Sequence, residues 1–180
     1  QAPCVITDCA DVHRFSKWCE QRDAAPCYDN FAWILNGVTD ALLAAQNLCV
    51  EAEAHGLGIC YLGTTIYTAE EIARILDLPK GVIPVTTIVV GHPDESPELT
   101  DRLPLDAVVH CEKYHHYTSS EIDELWAEKE TSEETRRLLE ENGLPNLAQI
   151  FTRNRYRAED NLAISRNYFA LLKKQGFFIN

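Results

Sequence analysis

The stretch FAWILNGVTDALLAAQNLCVEAEAHGLGICYLGTT, residues 31–65, decides how this chain is read. Phe31, Ile34, Leu35, Val38, Leu42, Ala45, Cys49 and Ala52 recur at helical spacing, and Trp33, Ala41, Ala44 and Leu48 fill much of the remaining circumference. The pattern predicts a helix over 31–55 that is apolar nearly all round. At 1.5 Å per residue it runs about 37 Å, more than a domain of 180 residues comfortably encloses. Such a helix predicts a homodimer, because a second copy covers the face that the first leaves bare. Gly56 and Gly58 stop it. GICYLG then reads as a buried strand ending at Gly63, followed by the small residues Thr64 and Thr65. A glycine there lets a flat ligand approach the backbone and lets exposed amides donate to it, although a plain strand-to-loop turn uses the same residues.

Upstream of this stretch, PCVITDCA (3–10) mixes β-branched and small apolar residues as a buried strand does. Downstream, Thr68 and Glu71 have the spacing of a capping box that opens a helix through Ile72, Ile75 and Leu76, stopped by Pro79. VIPVTTIVVG (82–91) is a continuous β-branched run and predicts a central strand buried on both faces. HPDESPELTDRLP reads as a Pro-rich surface loop, and DAVVHCEKY (106–114) as a further short strand. Residues 121–142 carry nine acids and three bases, a solvated helical stretch, whereas 153–174 carry six bases and two acids. A last helix is expected over 158–175, closed by Gly176. This order of elements defines an α/β or α+β layered fold.

Composition narrows the function classes. With 46% apolar and 24% charged residues the chain is a folded domain. Sixteen Lys and Arg against 28 Asp and Glu give a net charge of −12, which repels a phosphate backbone and argues against nucleic acid as partner. The apolar run 31–54 is interrupted by Asn36, Asp40, Gln46, Asn47, Glu51 and Glu53, so no membrane partner is expected. Seven cysteines, an odd number with no apolar leader before them, point to reduced thiols and a cytoplasmic location. Cys49 and Cys60 read as small core residues. No metal site is expected: Cys9 and His13 have no second ligand pair, and His115 and His116, read as strand residues, lack a carboxylate at ligand spacing. No P-loop, G-x-G-x-x-G, G-x-S-x-G or H-E-x-x-H occurs. Arg102 suits an anion anchor or a partner for Asp101 or Glu98. Arg153, Arg155 and Arg157 share one face if the chain is extended there and fan apart if it is helical.

From Val38 to Tyr114 the chain resembles the nitroreductase family, the FMN-dependent NAD(P)H oxidoreductases. The resemblance rests on an ordered set of motifs. A helix ends in Ala54-His55-Gly56-Leu57-Gly58, a strand in Tyr61-Leu62-Gly63, and Leu78-Pro79 precedes the next strand. That strand ends in Gly91-His92-Pro93, and the loop Pro97 to Pro104 carries Arg102-Leu103-Pro104. The tail LLKKQGFF (171–178) is similar to the oxygen-insensitive nitroreductase and flavin reductase branch, and CADVHR (9–14) fits the strand before the long helix.

The resemblance implies an α+β fold with a mixed sheet flanked by helices and two subunits interlocked along the long helix. Residues 1–117 would form the FMN-binding core, and 118–180 a helical extension packing on the core or on a partner subunit. The backbone of Leu62, Gly63 and Thr64 would face the flavin ring with Tyr61 beside it, and Arg102 would hold the FMN phosphate. Arg153 and Arg155 would reach the phosphates of NAD(P)H. Hydride would pass from NAD(P)H through FMN to a nitroaromatic, a quinone or free flavin in a ping-pong cycle, with no protein acid or base taking part. Two departures are expected to matter. Thr100 stands where the family has a basic residue, and the family's N-terminal segment has no counterpart in a sequence that opens at Gln1 and contains no Met. These departures favour an alternative, a flavin-binding protein of the same fold without turnover. A thiol-based redox or metal protein using Cys4, Cys9, Cys19 and Cys27 is the third class.

Overall fold

The computed structural model describes residues 2–97 and 99–178. They form two compact units, one of residues up to 96 together with 162 onward, the other of residues 97–161. The first unit holds a three-stranded sheet in the order β1-β3-β2, with β1 at Cys4–Asp11, β2 at Gly58–Tyr61 and β3 at Val82–Gly91. The unbroken β-branched run is thus the central strand, and Ile83 and Ile88 in it are fully buried. Both pairings are antiparallel, so the mixed pairing expected from the resemblance does not occur among the described residues.

The register of β1 on β3 shifts between Asp8 and Cys9, so that Asp8 faces Thr86 and Cys9 faces Pro84, leaving Val85 as an extra residue. Pro84 has no N–H to give a ladder and is tolerated in a central strand only at such a bulge. The bulge also resets the alternation. Ile83 and Ile88, five residues apart, lie in the two clusters that pack under the long helix α2, Phe31–Ala54. Ile83 meets Ala10 and Ile34, and Ile88 meets Ala45, Cys49 and Ala52.

Asn30 caps α2 by accepting from the Trp33 amide at 3.4 Å. The helix crosses β1 at Gly37, where an added Cβ would stand 2.9 Å from the Ala10 Cβ. The helix is not buried all round within one chain. Ile34, Ala41, Ala45, Cys49 and Ala52 are covered, while Phe31, Leu35, Leu42, Leu43 and Val50 are exposed.

Several local expectations change. A short helix, α1 (His13–Glu20), directly follows β1 where the residues up to Arg14 were read as strand. Helix α3 (Ala69–Ile75) begins after Thr68, but the Thr68 side chain makes no cap bond, and the Glu71 carboxylate pairs with Arg74 rather than reaching back to Thr68. Cys49 is buried and Cys60 is exposed, since the side of β2 that carries Cys60 is not covered by α2. The helix α7 (Ala158–Lys174) returns to the first unit, where Leu171 and Leu172 join its core and Tyr168 Oη donates to Pro84 O at 2.9 Å. Residues 162 onward thus belong to the core of the first unit. The Gln175 carboxamide donates to the Val82 carbonyl at 2.8 Å and Gly81 N donates to Gln175 O at 2.8 Å, fixing the entry to β3.

In the second unit the expected strand 106–114 is absent. Residues 105–107 form a 3-10 turn, and Val108 and Val109 are exposed with no strand to pair with among the described residues. His115 is consequently not a strand residue, and its ring meets Glu121 at 3.0 Å. The acidic stretch is two helices, α4 (Ser119–Thr131) and α5 (Glu133–Asn142), divided at Ser132, which caps the second. A capping box does form at the start of α4, between Thr118 and Glu121. A four-residue helix, α6 (Leu147–Ile150), leads into a π-helical turn over Phe151–Arg155.

Candidate functional site

The residues singled out at the end of β2 come together in one turn of the first unit. Leu62 N donates to Thr87 O at 2.8 Å, which ties the turn to the central strand. Thr65 is buried, and both its amide, at 3.3 Å, and its hydroxyl, at 3.0 Å, donate back to Leu62 O. Tyr67 N closes the next turn on Thr64 O at 2.9 Å. Between these anchors the amides of Gly63 and Thr64 have no acceptor among the described residues. Gly63 needs no positive φ, and a Cβ built on it meets nothing within 4 Å. The fold thus leaves two adjacent amides of exposed residues without an acceptor among the described residues. A groove of about 230 Å³ adjoins the turn, lined by Leu62, Thr64, Thr7 and Thr87 and by Ile72, Ile75 and Leu76.

Tyr61 lies on the α2 side of this turn. Its hydroxyl rests against the Cys49 thiol and donates to Gln46 Oε1 at 3.4 Å. The hydrogen bond with Cys49 raises its pKa first, and burial and the charge of Asp8 add to it, pushing it up to about 12. Asp8 is the neighbour that the sequence reading passed over. Its Oδ2 is buried with no hydrogen-bond partner among the described residues, and burial pushes the carboxyl above its ordinary value. Burial, helped by Asp8 and Asp11, raises the Cys9 thiol to about 11. A signal was present in the sequence: Asp8 shares the parity of Ile6 and Ala10, the core-facing positions of β1.

The arginines belong to the second unit. Arg102 is exposed, and its Nη1 donates to the Thr100 hydroxyl, to Thr100 O at 3.3 Å and to Asp101 O at 2.9 Å. It does not pair with the Asp101 carboxylate, which Lys129 takes at 2.8 and 3.1 Å and thereby holds below the usual carboxylate range. Glu98, the other partner considered, lies outside the described residues. Because 151–155 is a π-helical turn, Arg153 and Arg155 do not share the single face that an extended segment would give them. Arg155 lies over the Phe151 ring at 5.6 Å, Arg157 pairs with Glu159 and Asp160, and Arg153 is exposed. Among the described residues no group of three or more His, Cys, Asp or Glu is placed to hold a metal ion, and no helix is long and apolar enough to cross a membrane.

An antiparallel sheet backed by the long helix α2 is the fold that known proteins share with this chain. Residues 35–92 match the Nitroreductase family. A crystal structure from Bacteroides fragilis NCTC 9343 is similar at 48% identity and TM-score 0.94, over 98% of this chain and 72% of that one. The NfrA1 nitroreductase from B. subtilis is similar at 25% identity and TM-score 0.80, over 98% and 70%. The FMN reductase (NADPH) of Bacillus subtilis (strain 168) is 34% identical over 109 residues, 59% of this chain and 44% of that protein. This chain belongs to the nitroreductase family. Its match spans less than half the length of that curated relative.

Proposed function

We propose that this protein is an FMN-dependent oxidoreductase that takes hydride from NAD(P)H and delivers it to a small aromatic or quinone acceptor, such as a nitroaromatic, or to free flavin. The observation that carries this reading is the pair of unbonded amides at Gly63 and Thr64, in open space at the end of β2. They donate to the ring edge, and because the Leu62–Thr87 and Thr65–Leu62 bonds hold them in place, their dipoles favour negative charge on the ring without reorganising. Gly63 lets the ring lie close to the backbone, and Tyr61 and Leu62 border it. Arg102 holds the phosphate as a planar, always-charged donor. Arg153 and Arg155 meet the dinucleotide phosphates. FMN when bound supplies the hydride chemistry itself, alternating between donor and acceptor in a ping-pong cycle. The protein needs no acid or base for it.

The reading includes a homodimer. The apolar residues of α2 left bare in one chain, Leu35, Leu42, Leu43 and Val50 among them, supply a face for a second copy. It also includes a cytoplasmic location, which the seven free thiols favour. Named relatives support it through their own activities, one being an FMN reductase (NADPH). A second reading, flavin binding without turnover, is favoured by Arg102, whose guanidinium is engaged with Thr100 and Asp101.

A flavin spectrum separates the two readings. The enzyme binds FMN, bleaches on addition of NADPH and recovers its colour with menadione or a nitroaromatic. Colour that persists with both NADH and NADPH would leave the binding protein, and a colourless protein with excess FMN would overturn both.

A further inference from the structure

Tyr117 Oη donates to Ala107 O at 2.6 Å and closes the base of a loop over 107–117 in the second unit. Inside the loop the His115 amide donates to Nδ1 of the His110 ring at 3.2 Å. This clasp spans a sharp turn, in which Lys113 N donates to Cys111 O at 2.6 Å and Glu112 holds a φ of 59°, the left-handed region that residues other than glycine seldom occupy. A backbone N–H can only donate, so Nδ1 of His110 must keep its lone pair. The clasped ring is therefore neutral, with its proton on Nε2. His115 faces the opposite demand. Its Nε2 meets Glu121 Oε1 of α4 at 3.0 Å, while the other carboxylate oxygen accepts from the Thr118 amide at 2.7 Å and the Thr118 hydroxyl at 2.9 Å. These contacts, those of Thr118 foremost, hold Glu121 below the usual carboxylate range, so it stays charged wherever a histidine changes charge. The rings against His110 are Tyr114 at 4.4 Å and Tyr117 at 6.0 Å, with His116 beyond Tyr114 at 5.1 Å from that ring. Cys111, Glu112 and Lys113 are exposed, and among the described residues the ion pair of this loop is His115–Glu121, with none at His110.

We propose that the loop 107–117 is a pH-sensitive clasp, which opens when His110 takes up a second proton and stays anchored to α4 through His115. A proton on Nδ1 sets one donor against another, the His115 N–H, and the bond between them is lost. The same acid strengthens the contact of His115 with Glu121, which becomes a charge-assisted pair. The clasp is thus closed on the alkaline side of the histidine range, about pH 5 to 8, and open on the acid side. Once charged, the His110 ring turns to Tyr114, since an aromatic face attracts a cation. Opening frees a segment that already exposes Val108, Val109 and Tyr114, while its ends stay fixed at Ala107 and Glu121. The clasp lies wholly in the second unit and works whether or not flavin binds.

The experiment is an NMR titration of the protein from about pH 8 to pH 5, the range over which histidines change charge. At the alkaline end the His110 ring nitrogens are expected to show the proton on Nε2. As the ring takes up its second proton, the amide of residue 115 should move in step with it. The protection of that amide against solvent exchange, relative to an unstructured amide at the same pH, should fall about threefold to tenfold, the worth of one hydrogen bond. In His115→Gln the carboxamide still reaches Glu121 and does not titrate, so the amide of residue 115 should follow His110 as before. With His110→Asn added, a side-chain oxygen stands in for Nδ1 and gains no proton, and the amide should keep its alkaline position throughout. A His110 ring carrying its proton on Nδ1 at the alkaline end would overturn the proposal. So would an amide that ignores the His110 titration in His115→Gln, or one that answers acid equally once His110→Asn is added.

Discussion

At the end of β2 the backbone holds two donors with no acceptor among the described residues, while in the second unit Arg102, Arg155 and Arg157 have already found neighbours. Leu62 N on Thr87 O and Thr65 on Leu62 O fix the turn, and Gly63 and Thr64 are left facing outward. Arg102 folds back on Thr100 and Asp101, Arg155 lies over Phe151, and Arg157 pairs with Glu159 and Asp160. The difference is one of preorganisation. Backbone donors fixed by a sheet lose little entropy on meeting a ligand, whereas a long side chain must leave its present partners and give up rotamer freedom. The turn should therefore govern whether the cofactor is held at all, and the arginines should adjust how tightly.

Gly63→Val puts the largest strain on this contrast. No described residue stands within 4 Å of the new Cβ, so circular dichroism and thermal midpoint should stay unchanged. FMN affinity should fall by about 1–3 kcal/mol, the cost of a typical overpacked contact, roughly fivefold to 150-fold. Full occupancy in that variant, read from flavin absorbance, would remove Gly63 from the site. Arg102→Ala comes next, with a salt-sensitive loss of about 1.5 to 3 kcal/mol in FMN binding, the range for a hydrogen bond to a charged group. Its present engagement with Thr100 and Asp101 places the value towards the lower end. Unchanged affinity by fluorescence titration would reassign Arg102 to its local partners.

Replacing both Arg153 and Arg155 by Ala should raise the Michaelis constant for NADPH several-fold and leave kcat and bound FMN nearly unaltered, because only uniform cosubstrate binding is removed. Steady-state kinetics at low salt that show no change would make the cluster surface charge. The smallest effects carry the same contrast between engaged and idle groups into the helix caps. Thr118→Ala should cost about 1 kcal/mol in denaturant unfolding, since its side chain takes the Glu121 amide. Thr68→Ala should cost only a few tenths of that, because its hydroxyl caps nothing. Equal losses at the two threonines would break the comparison.

The two threonines also show where sequence patterns run out. Both begin a T-x-x-E motif, but Arg74 follows Glu71 by one helical turn and takes its carboxylate, whereas Glu121 reaches back to Thr118 with one carboxylate oxygen while the other meets His115. The long helix and the central strand were legible because each is a sustained periodic or β-branched pattern that local exceptions do not disturb. The strand expected at 106–114 failed for the opposite reason, since a short apolar run becomes a strand only where a neighbouring edge accepts it. Gly37 went unread because its value lies in the 2.9 Å approach to Ala10, a contact 27 residues away along the chain. In the site, Tyr61 to Thr64 were readable as a strand end followed by small residues. Asp8 was readable only in part: its parity with Ile6 and Ala10 turns it to the core, but that its buried oxygen lacks a partner among the described residues is a property of the fold, which no spacing reveals.

Titrating FMN into the protein while following the backbone amide signals of Gly63 and Thr64 tests the flavin site most directly. Both signals should move saturably and in step with the absorbance of bound flavin, and both should stay still when the same flavin is offered to Gly63→Val. Flavin that binds at full stoichiometry while the two amides keep their ligand-free positions would put the ring somewhere other than the end of β2.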